Sequence, residues 1–227
     1  MTYRLLIMAT AATTLALLPT ATLLAQVPVQ MTSNAQQPAP PRSVIQKLRA
    51  FLGVNPPVAV GGSRSGGGGG QSICLLSPWP SPERTGNAVP VTVVVSRPVL
   101  LAAGQLNEIR LEKGGRILWQ ERASSTQPIE GSIPWPIKPL QPGEQLTLKL
   151  RPRGASGGDF ATYVLRAADA PVLEANERQA KALGNDPKVW NGFVEQLKPQ
   201  QAGLAAGLLS SPQAPVSLRQ NLQCSER

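Results

Sequence analysis

The middle of this 227-residue chain alternates between apolar and polar residues with a period of two. The alternation is clearest at residues 108–112 and 146–151, where Ile or Leu residues are separated by charged or polar ones. This pattern is typical of strands that face a core on one side and water on the other. The pair Gly114–Gly115 separates two such stretches and predicts a tight β-hairpin turn. The pattern therefore predicts antiparallel β-structure.

Six or seven short strands are predicted between residues 72 and 168, with Gly- or Pro-containing turns between them. This number and spacing of strands favours a β-sandwich. The predicted fold class is mainly β with an α-helical appendage, in which two or three helices follow the antiparallel sandwich. The predicted strands are Ser72–Leu76, Val91–Ser96, Glu108–Glu112, Ile117–Arg122, Gly131–Trp135, Leu146–Leu150 and Asp159–Arg166.

Helical spacing replaces the alternation in residues 169–210, and an irregular tail is predicted for 211–227. Asp186 followed by Pro187 is a strong helix start, because Asp caps exposed backbone N–H groups and Pro needs none at the first helical position. The apolar stripe after Pro187, which includes Trp190 and Phe193, predicts that this helix packs on the sandwich core.

The first 25 residues are typical of a secretory signal peptide. Arg4 precedes an apolar stretch, Pro19 interrupts it, and Ala25 is a small residue at the expected cleavage point. We expect a mature chain from Gln26 that is periplasmic or secreted. After Ala25 no apolar stretch approaches the roughly 20 residues that a transmembrane helix needs.

Residues 26–71 are predicted to be a disordered segment with one short helix at 43–52 and a Gly-rich linker at 61–70. The Gly run formally contains the spacing of a phosphate-binding loop. Neither a preceding strand nor a following Lys-Ser or Lys-Thr pair accompanies it, so we interpret it as a linker.

The chain contains no His and only two Cys residues. The absence of His excludes Ser-His-Asp and Cys-His catalysis and His ligation of metals. We therefore predict no enzymatic activity and no cofactor, with a Ser-Lys hydrolase as a distant alternative. In an oxidising compartment Cys74 and Cys224 are expected to form a disulfide, although two free thiols remain the alternative.

The formal net charge is +9 and becomes +8 when Arg4 is removed with the leader. Such a charge attracts anionic surfaces and polymers. No dense basic run interleaved with aromatic residues is present, so specific nucleic-acid binding is not predicted. The expected partner is an envelope protein or an anionic glycan.

Two sets of residues are candidates for ligand contact. Trp79 and Trp135 each lie between two prolines and could stack on sugar rings, although closing the ends of the sandwich is the favoured role. A second set of cations, which could form an anion-binding patch or simply the solvated face of a sheet, consists of Arg110, Lys149, Arg151, Arg153 and Arg166. The carboxylates Glu108, Glu112 and Glu121 are assigned to the solvated face of the hairpin.

Motifs between residues 61 and 197 carry a family resemblance. They are Gly62-Ser63-Arg64, Ile73-Cys74-Leu75-Leu76-Ser77-Pro78, Ile117-Leu118-Trp119, Pro139-Leu140-Gln141-Pro142-Gly143, Leu146–Leu150, Ala175-Asn176-Glu177 and Trp190. In these the chain resembles a group of exported cyanobacterial proteins of unknown function, each a small immunoglobulin-like sandwich followed by helices. It departs from the group where Leu146, Leu148 and Leu150 replace the usual aromatic residue. The resemblance implies an immunoglobulin-like sandwich and no catalytic residues.

These observations predict a non-catalytic exported module that binds a partner or serves the cell envelope. The alternative is a carbohydrate- or polyanion-binding domain that uses the Trp loops or a basic sheet face.

Overall fold

The computed structural model describes residues 59–60, 72–80, 88–155, 157–198 and 201–220. All of these described residues belong to one compact unit. The predicted leader, the predicted helix at 43–52, the Gly run and Cys224 lie outside these described residues. Among the helices that are described, none combines the length and the apolar character needed to cross a bilayer.

The described residues form nine strands and four helices. The strands are β1 (Ala59–Val60), β2 (Ser72–Ser77), β3 (Ala88–Val93), β4 (Leu100–Ala103), β5 (Leu106–Lys113), β6 (Arg116–Arg122), β7 (Ser132–Ile133), β8 (Gln145–Pro152) and β9 (Ala161–Ala167). The helices are α1 (Ala170–Leu183), α2 (Pro187–Gln196), α3 (Ala202–Leu209) and α4 (Val216–Gln220). The chain is thus mainly β with a helical C-terminal part, as the sequence predicts.

The strands form two sheets. One sheet has the order β1-β2-β4-β7 and is antiparallel throughout, and the other has the order β3-β9-β8-β5-β6. In the second sheet β3 pairs with β9 in parallel, for example Val91 with Leu165. The prediction of a purely antiparallel fold is therefore wrong for this pair. A long stretch of chain separates β3 from β9, and local sequence does not specify the direction of such a distant pairing.

Local signals set several element boundaries. Gly114 and Gly115 have φ values of 56° and 82°, and the left-handed backbone at both positions gives the tight turn between β5 and β6. The Asp186 side chain accepts a hydrogen bond of 2.8 Å from the backbone N–H of Lys188, which starts α2 as predicted. The short helix α4 lies within the segment that we predict to be irregular.

A first buried cluster lies between the two sheets. The alternating residues Ile109 and Leu111 of β5 and Leu146, Leu148 and Leu150 of β8 contribute to it, and each is at most 1% exposed. From the other sheet, Ile73, Leu75 and Leu100 join the same cluster. Trp119 is half-buried and packs against its edge. The inward positions that alternation predicts in β5 and β8 are confirmed.

A second buried cluster lies between the four-stranded sheet and the helices. Cys74 and Leu76 of β2 and Leu101 of β4 meet Trp190 and Val194 of α2 there. The four-stranded sheet is therefore covered on both faces, which explains why β2 is an almost uninterrupted apolar run. Trp190, which we expect to dock on the core of the sandwich, is fully buried in this separate cluster, and Phe193 packs against it half-buried.

Candidate functional site

The outward face of the five-stranded sheet gathers most of the charged side chains of β5 and β8. Glu108 pairs with Arg151 across the two strands, Arg110 with Lys149, and Glu112 with Thr147. Directly opposed residues of antiparallel strands point to the same face. We call this surface, formed by Glu108, Arg110, Glu112, Gln120, Arg122, Lys149 and Arg151, the charged face.

Glu108 is the centre of the charged face and is only 1% exposed. Its carboxylate accepts a hydrogen bond from the Arg110 Nε and another from the Gln120 Nε2. The Arg151 Nη2 lies 2.6 Å from Glu108 Oε2, and the Arg122 Nε lies 3.5 Å from Oε1. One carboxylate thus holds three guanidinium groups from three adjacent strands. We call this group, with Gln120, the Glu108 cluster.

The arginines keep Glu108 ionised. Burial by itself raises the pKa of a carboxyl group. Here the hydrogen bond from Arg110 and the charges of Arg110, Arg151 and Arg122 outweigh burial, so the pKa of Glu108 lies below its ordinary value. The carboxylate therefore remains a fixed negative charge at neutral pH.

A second ion pair extends the charged face along the same strands. The Lys149 Nζ lies 2.9 Å from Glu112 Oε2. Glu112 is 6% exposed, and the Lys149 side chain is about one-third exposed. Glu108 and Glu112 lie on the outward face of the sheet, as predicted, but the expectation that water surrounds them is wrong. Both are buried because long cationic side chains cover them. Glu121 is exposed, as expected.

Phe160 covers part of the Glu108 cluster. The guanidinium carbon of Arg110 lies 4.6 Å from the centre of the Phe160 ring, and that of Arg151 lies 5.7 Å from it. These distances are typical of cation–π contacts. The Arg151 Nε is buried and has no hydrogen-bond partner. The ring and the carboxylate together restrict the orientation of both guanidinium planes.

The structure brings together Arg110, Lys149 and Arg151 from the predicted cation set. Arg153 lies beyond the end of β8, where its Nη1 donates a 2.8 Å hydrogen bond to Gln105 Oε1. Arg166 is exposed on β9 and pairs with Gln145, four residues along β8 from Lys149. These two arginines are thus outside the Glu108 cluster. Their contact with a ligand, like that of Arg110, Lys149 and Arg151, stays a prediction.

Arg122, Gln120 and Phe160 were not singled out by the sequence pattern. A β-bulge explains the first two, because the register of β5 and β6 shifts at Leu111 and Glu112. The shift pairs Arg110 with Gln120 and Glu108 with Arg122. The polar end of β6, Gln120-Glu121-Arg122, is a visible signal, but assigning these residues to a face requires knowledge of the bulge.

The two Pro-flanked tryptophans are both half-buried. Trp135 packs against the first cluster, and its Nε1 donates a 2.9 Å hydrogen bond to the backbone carbonyl of Lys138 in the same loop. Trp79 packs against the second cluster. These contacts favour the predicted structural role over sugar stacking.

Cys74 is 4% exposed on β2 and belongs to the second cluster. Its expected partner, Cys224, lies outside the described residues. The pairing of the two stays a prediction.

Metal-ligating residues do not gather in the described part of the chain, where no group of three or more Cys, Asp or Glu residues has a suitable arrangement. No protein-family model, curated protein or solved structure matches the chain.

Proposed function

We propose that this chain is a non-catalytic exported module that binds anionic polymers through the charged face. The supporting observation is the assembly of four cationic side chains around two buried carboxylates. Arg110, Arg122 and Arg151 surround Glu108, and Lys149 pairs with Glu112, so two positive charges are in excess.

The cations of this face are positioned before any ligand arrives. The Arg110 and Arg151 side chains are only 21% and 20% exposed, and both contact Glu108. Ordering a long side chain in advance lowers the entropic cost of binding. The sequence left two hypotheses, a module that binds a protein partner and a domain that binds a polyanion. The geometry of the charged face supports the polyanion-binding domain better.

The proposed localisation and architecture of the protein also rest on the sequence. The leader of residues 1–25 supports export to the periplasm or the medium, where anionic glycans and envelope proteins are available partners. An immunoglobulin-like arrangement is the proposed architecture of the two sheets, supported by the core cluster that they share.

Titration with a heparin-like polysaccharide and a neutral glycan, each at low and high salt, tests the proposal. We expect binding of the anionic polymer alone, weakened as salt rises from about 0.1 M to about 1 M and the Debye length falls from about 10 Å to about 3 Å. Arg110→Ala should weaken binding more than Arg166→Ala, since Arg166 is an exposed cation outside the Glu108 cluster.

A different result would favour sugar binding through the loops that carry Trp79 and Trp135. Salt-resistant binding of the neutral glycan that is lost in Trp135→Ala would contradict the proposal, because stacking on an indole does not depend on net charge. Retention of heparin binding in Arg110→Ala together with its loss in Arg166→Ala would place the site elsewhere on the protein.

A further inference from the structure

We infer that the Glu108 cluster is a binding subsite for a dianionic phosphomonoester group. The inference rests on the proposed function, because it names the chemical group that the charged face recognises.

The excess positive charge is concentrated at one point of the charged face. Lys149 and Glu112 form a neutral pair. Three guanidinium groups surround the single carboxylate of Glu108, which leaves two positive charges within that cluster. A ligand group with two negative charges matches this excess. A phosphomonoester carries about −1.5 to −2 at pH 7, whereas a sulfate ester or a carboxylate carries only one negative charge.

The guanidinium groups retain donors for such a ligand. Arg110 contacts Glu108 through Nε, and Arg151 contacts it through Nη2. Each guanidinium has five N–H groups in a planar fork, so Glu108 engages only part of each fork. The Arg122 side chain is 66% exposed, so it can reach a group bound above the sheet. Arginine forks bind phosphate oxygens in a bidentate manner.

The Phe160 ring supports recognition of a compact anion. It contacts Arg110 and Arg151 and occupies one side of both guanidinium groups. A ring in this position shields part of the site from water, which strengthens charge interactions. Glu108 is then a positioning residue, because its carboxylate orients the arginines without contacting the ligand.

Isothermal titration with phenyl phosphate and phenyl sulfate tests the inference, since the two probes differ mainly in charge. At about pH 7.5 we expect phenyl phosphate to bind at least about fivefold more tightly, which corresponds to one additional unit charge at about 4 Å in water. At about pH 5 the phosphate carries one negative charge, because its second pKa is about 6. The preference should then disappear while phenyl sulfate binding stays the same.

Three variants locate the site. Arg110→Lys keeps the charge but removes the fork, and it should weaken phenyl phosphate binding by about tenfold. Glu108→Gln raises the excess positive charge of the cluster from two to three but removes the group that orients the arginines, and we expect the loss of orientation to weaken phenyl phosphate binding. Arg166→Lys, on the same sheet, is the matched control and should bind normally. Circular dichroism melting of each variant shows whether it is folded, and Arg110→Lys remains informative if Glu108→Gln is not.

Vesicles distinguish the two sources of a phosphomonoester. Retention on phosphatidic acid vesicles, but not on phosphatidylglycerol vesicles, assigns the group to a lipid headgroup, and no retention assigns it to a soluble or glycan-borne phosphate. Both results support the inference when phenyl phosphate binds.

Equal affinity for phenyl phosphate and phenyl sulfate, or no binding of either, would overturn the inference. The proposed function would stand if heparin binding still depended on Arg110. The proposed function would also be contradicted if the anionic polymer did not bind, or if its binding did not depend on Arg110.

Discussion

The hydroxyl group of Tyr163 donates a hydrogen bond of 2.9 Å to the backbone carbonyl of Ile73 and so joins the two sheets. The same oxygen accepts a hydrogen bond of 3.2 Å from the backbone N–H of Leu75. Tyr163 is completely buried on β9, and Ile73 and Leu75 belong to β2 of the opposite sheet. A single side chain therefore satisfies two backbone polar groups inside the first cluster.

Tyr163→Phe should lower the free energy of unfolding by about 1–3 kcal/mol, because it leaves buried backbone groups without a partner. Urea denaturation of both proteins measures the difference. Ser124→Ala is the control, since the Ser124 hydroxyl also accepts a backbone N–H, from Gln127 at 2.9 Å, but is exposed to water. A loss in Tyr163→Phe no larger than in Ser124→Ala would show that the hydroxyl does not stabilise the contact between sheets.

Leu148→Ala should cost about 2–5 kcal/mol of stability, because the side chain is completely buried and its removal leaves a cavity. Thr147→Ala should cost much less, since Thr147 is on the opposite face of the same strand and is partly exposed. Thermal and urea unfolding check both variants. Similar losses at the two positions would contradict the register of β8.

Two glycines of α3 should respond oppositely to alanine. A Cβ at Gly207 would overlap the side chain of Val94, whereas a Cβ at Gly203 would have no atom within 4 Å. Gly207→Ala should destabilise the protein by about 1–3 kcal/mol through overpacking. Gly203→Ala should stabilise it by roughly 0.5–1 kcal/mol through helix propensity. Melting temperatures that change in the same direction would refute this packing of α3.

Stability should fall at acidic pH, partly because of Glu144. The hydrogen bond from Lys113 at 2.6 Å and the backbone N–H of Gln141 at 2.9 Å lower the pKa of Glu144 below its ordinary value of 4.5. The unfolded chain then binds more protons than the folded one as pH drops through about 4.5. The contribution is complete above this pH and is lost towards the lower, folded pKa.

Glu144→Gln should therefore flatten the dependence of unfolding free energy on pH below about 4.5. Urea denaturation between about pH 7 and about pH 3 measures the slope. Glu121→Gln, which removes an exposed carboxylate of β6, is measured in parallel as the control for the loss of one negative charge. An unchanged slope in Glu144→Gln would show that this pair does not couple protonation to folding.

A disulfide between Cys74 and Cys224 should tie the end of the chain to β2. Closing a loop of about 150 residues stabilises a protein by about 4–5 kcal/mol in the chain-entropy model. Non-reducing peptide mapping should recover the linked peptides, and Cys224→Ser should lower the melting temperature. Rapid alkylation of both thiols in the native protein would rule the pairing out.

The sequence by itself determined the features that depend on neighbouring residues. Gly114–Gly115 specifies the turn of the β5–β6 hairpin, and Asp186–Pro187 specifies the start of α2. Alternation assigned Ile109 and Leu148 to the core correctly. These features were predictable because turn conformation, capping and the two-residue period act over a few residues.

Strand β4, at Leu100–Ala103, was not predicted, because it faces buried clusters on both sides and has no alternation to detect. Trp190 was recognised as buried, but its separate cluster depends on a helical layer that covers β2. The parallel pairing of β3 with β9 joins distant segments. Only the tertiary structure decides such arrangements, because they depend on contacts between segments far apart in sequence.

On the charged face, too, the sequence determined some features and the tertiary structure decided others. Alternation correctly placed Glu108 and Arg110 on the outward side of β5. A hairpin with a two-residue turn and no bulge would pair Leu111 with Leu118. The bulge pairs Leu111 with Trp119 instead. That shift of one residue moves Trp119 to the core face and brings Arg122 to Glu108. The sequence alone therefore identified the charged residues of this strand, whereas the burial of Glu108 among three arginines depends on the assembled sheet.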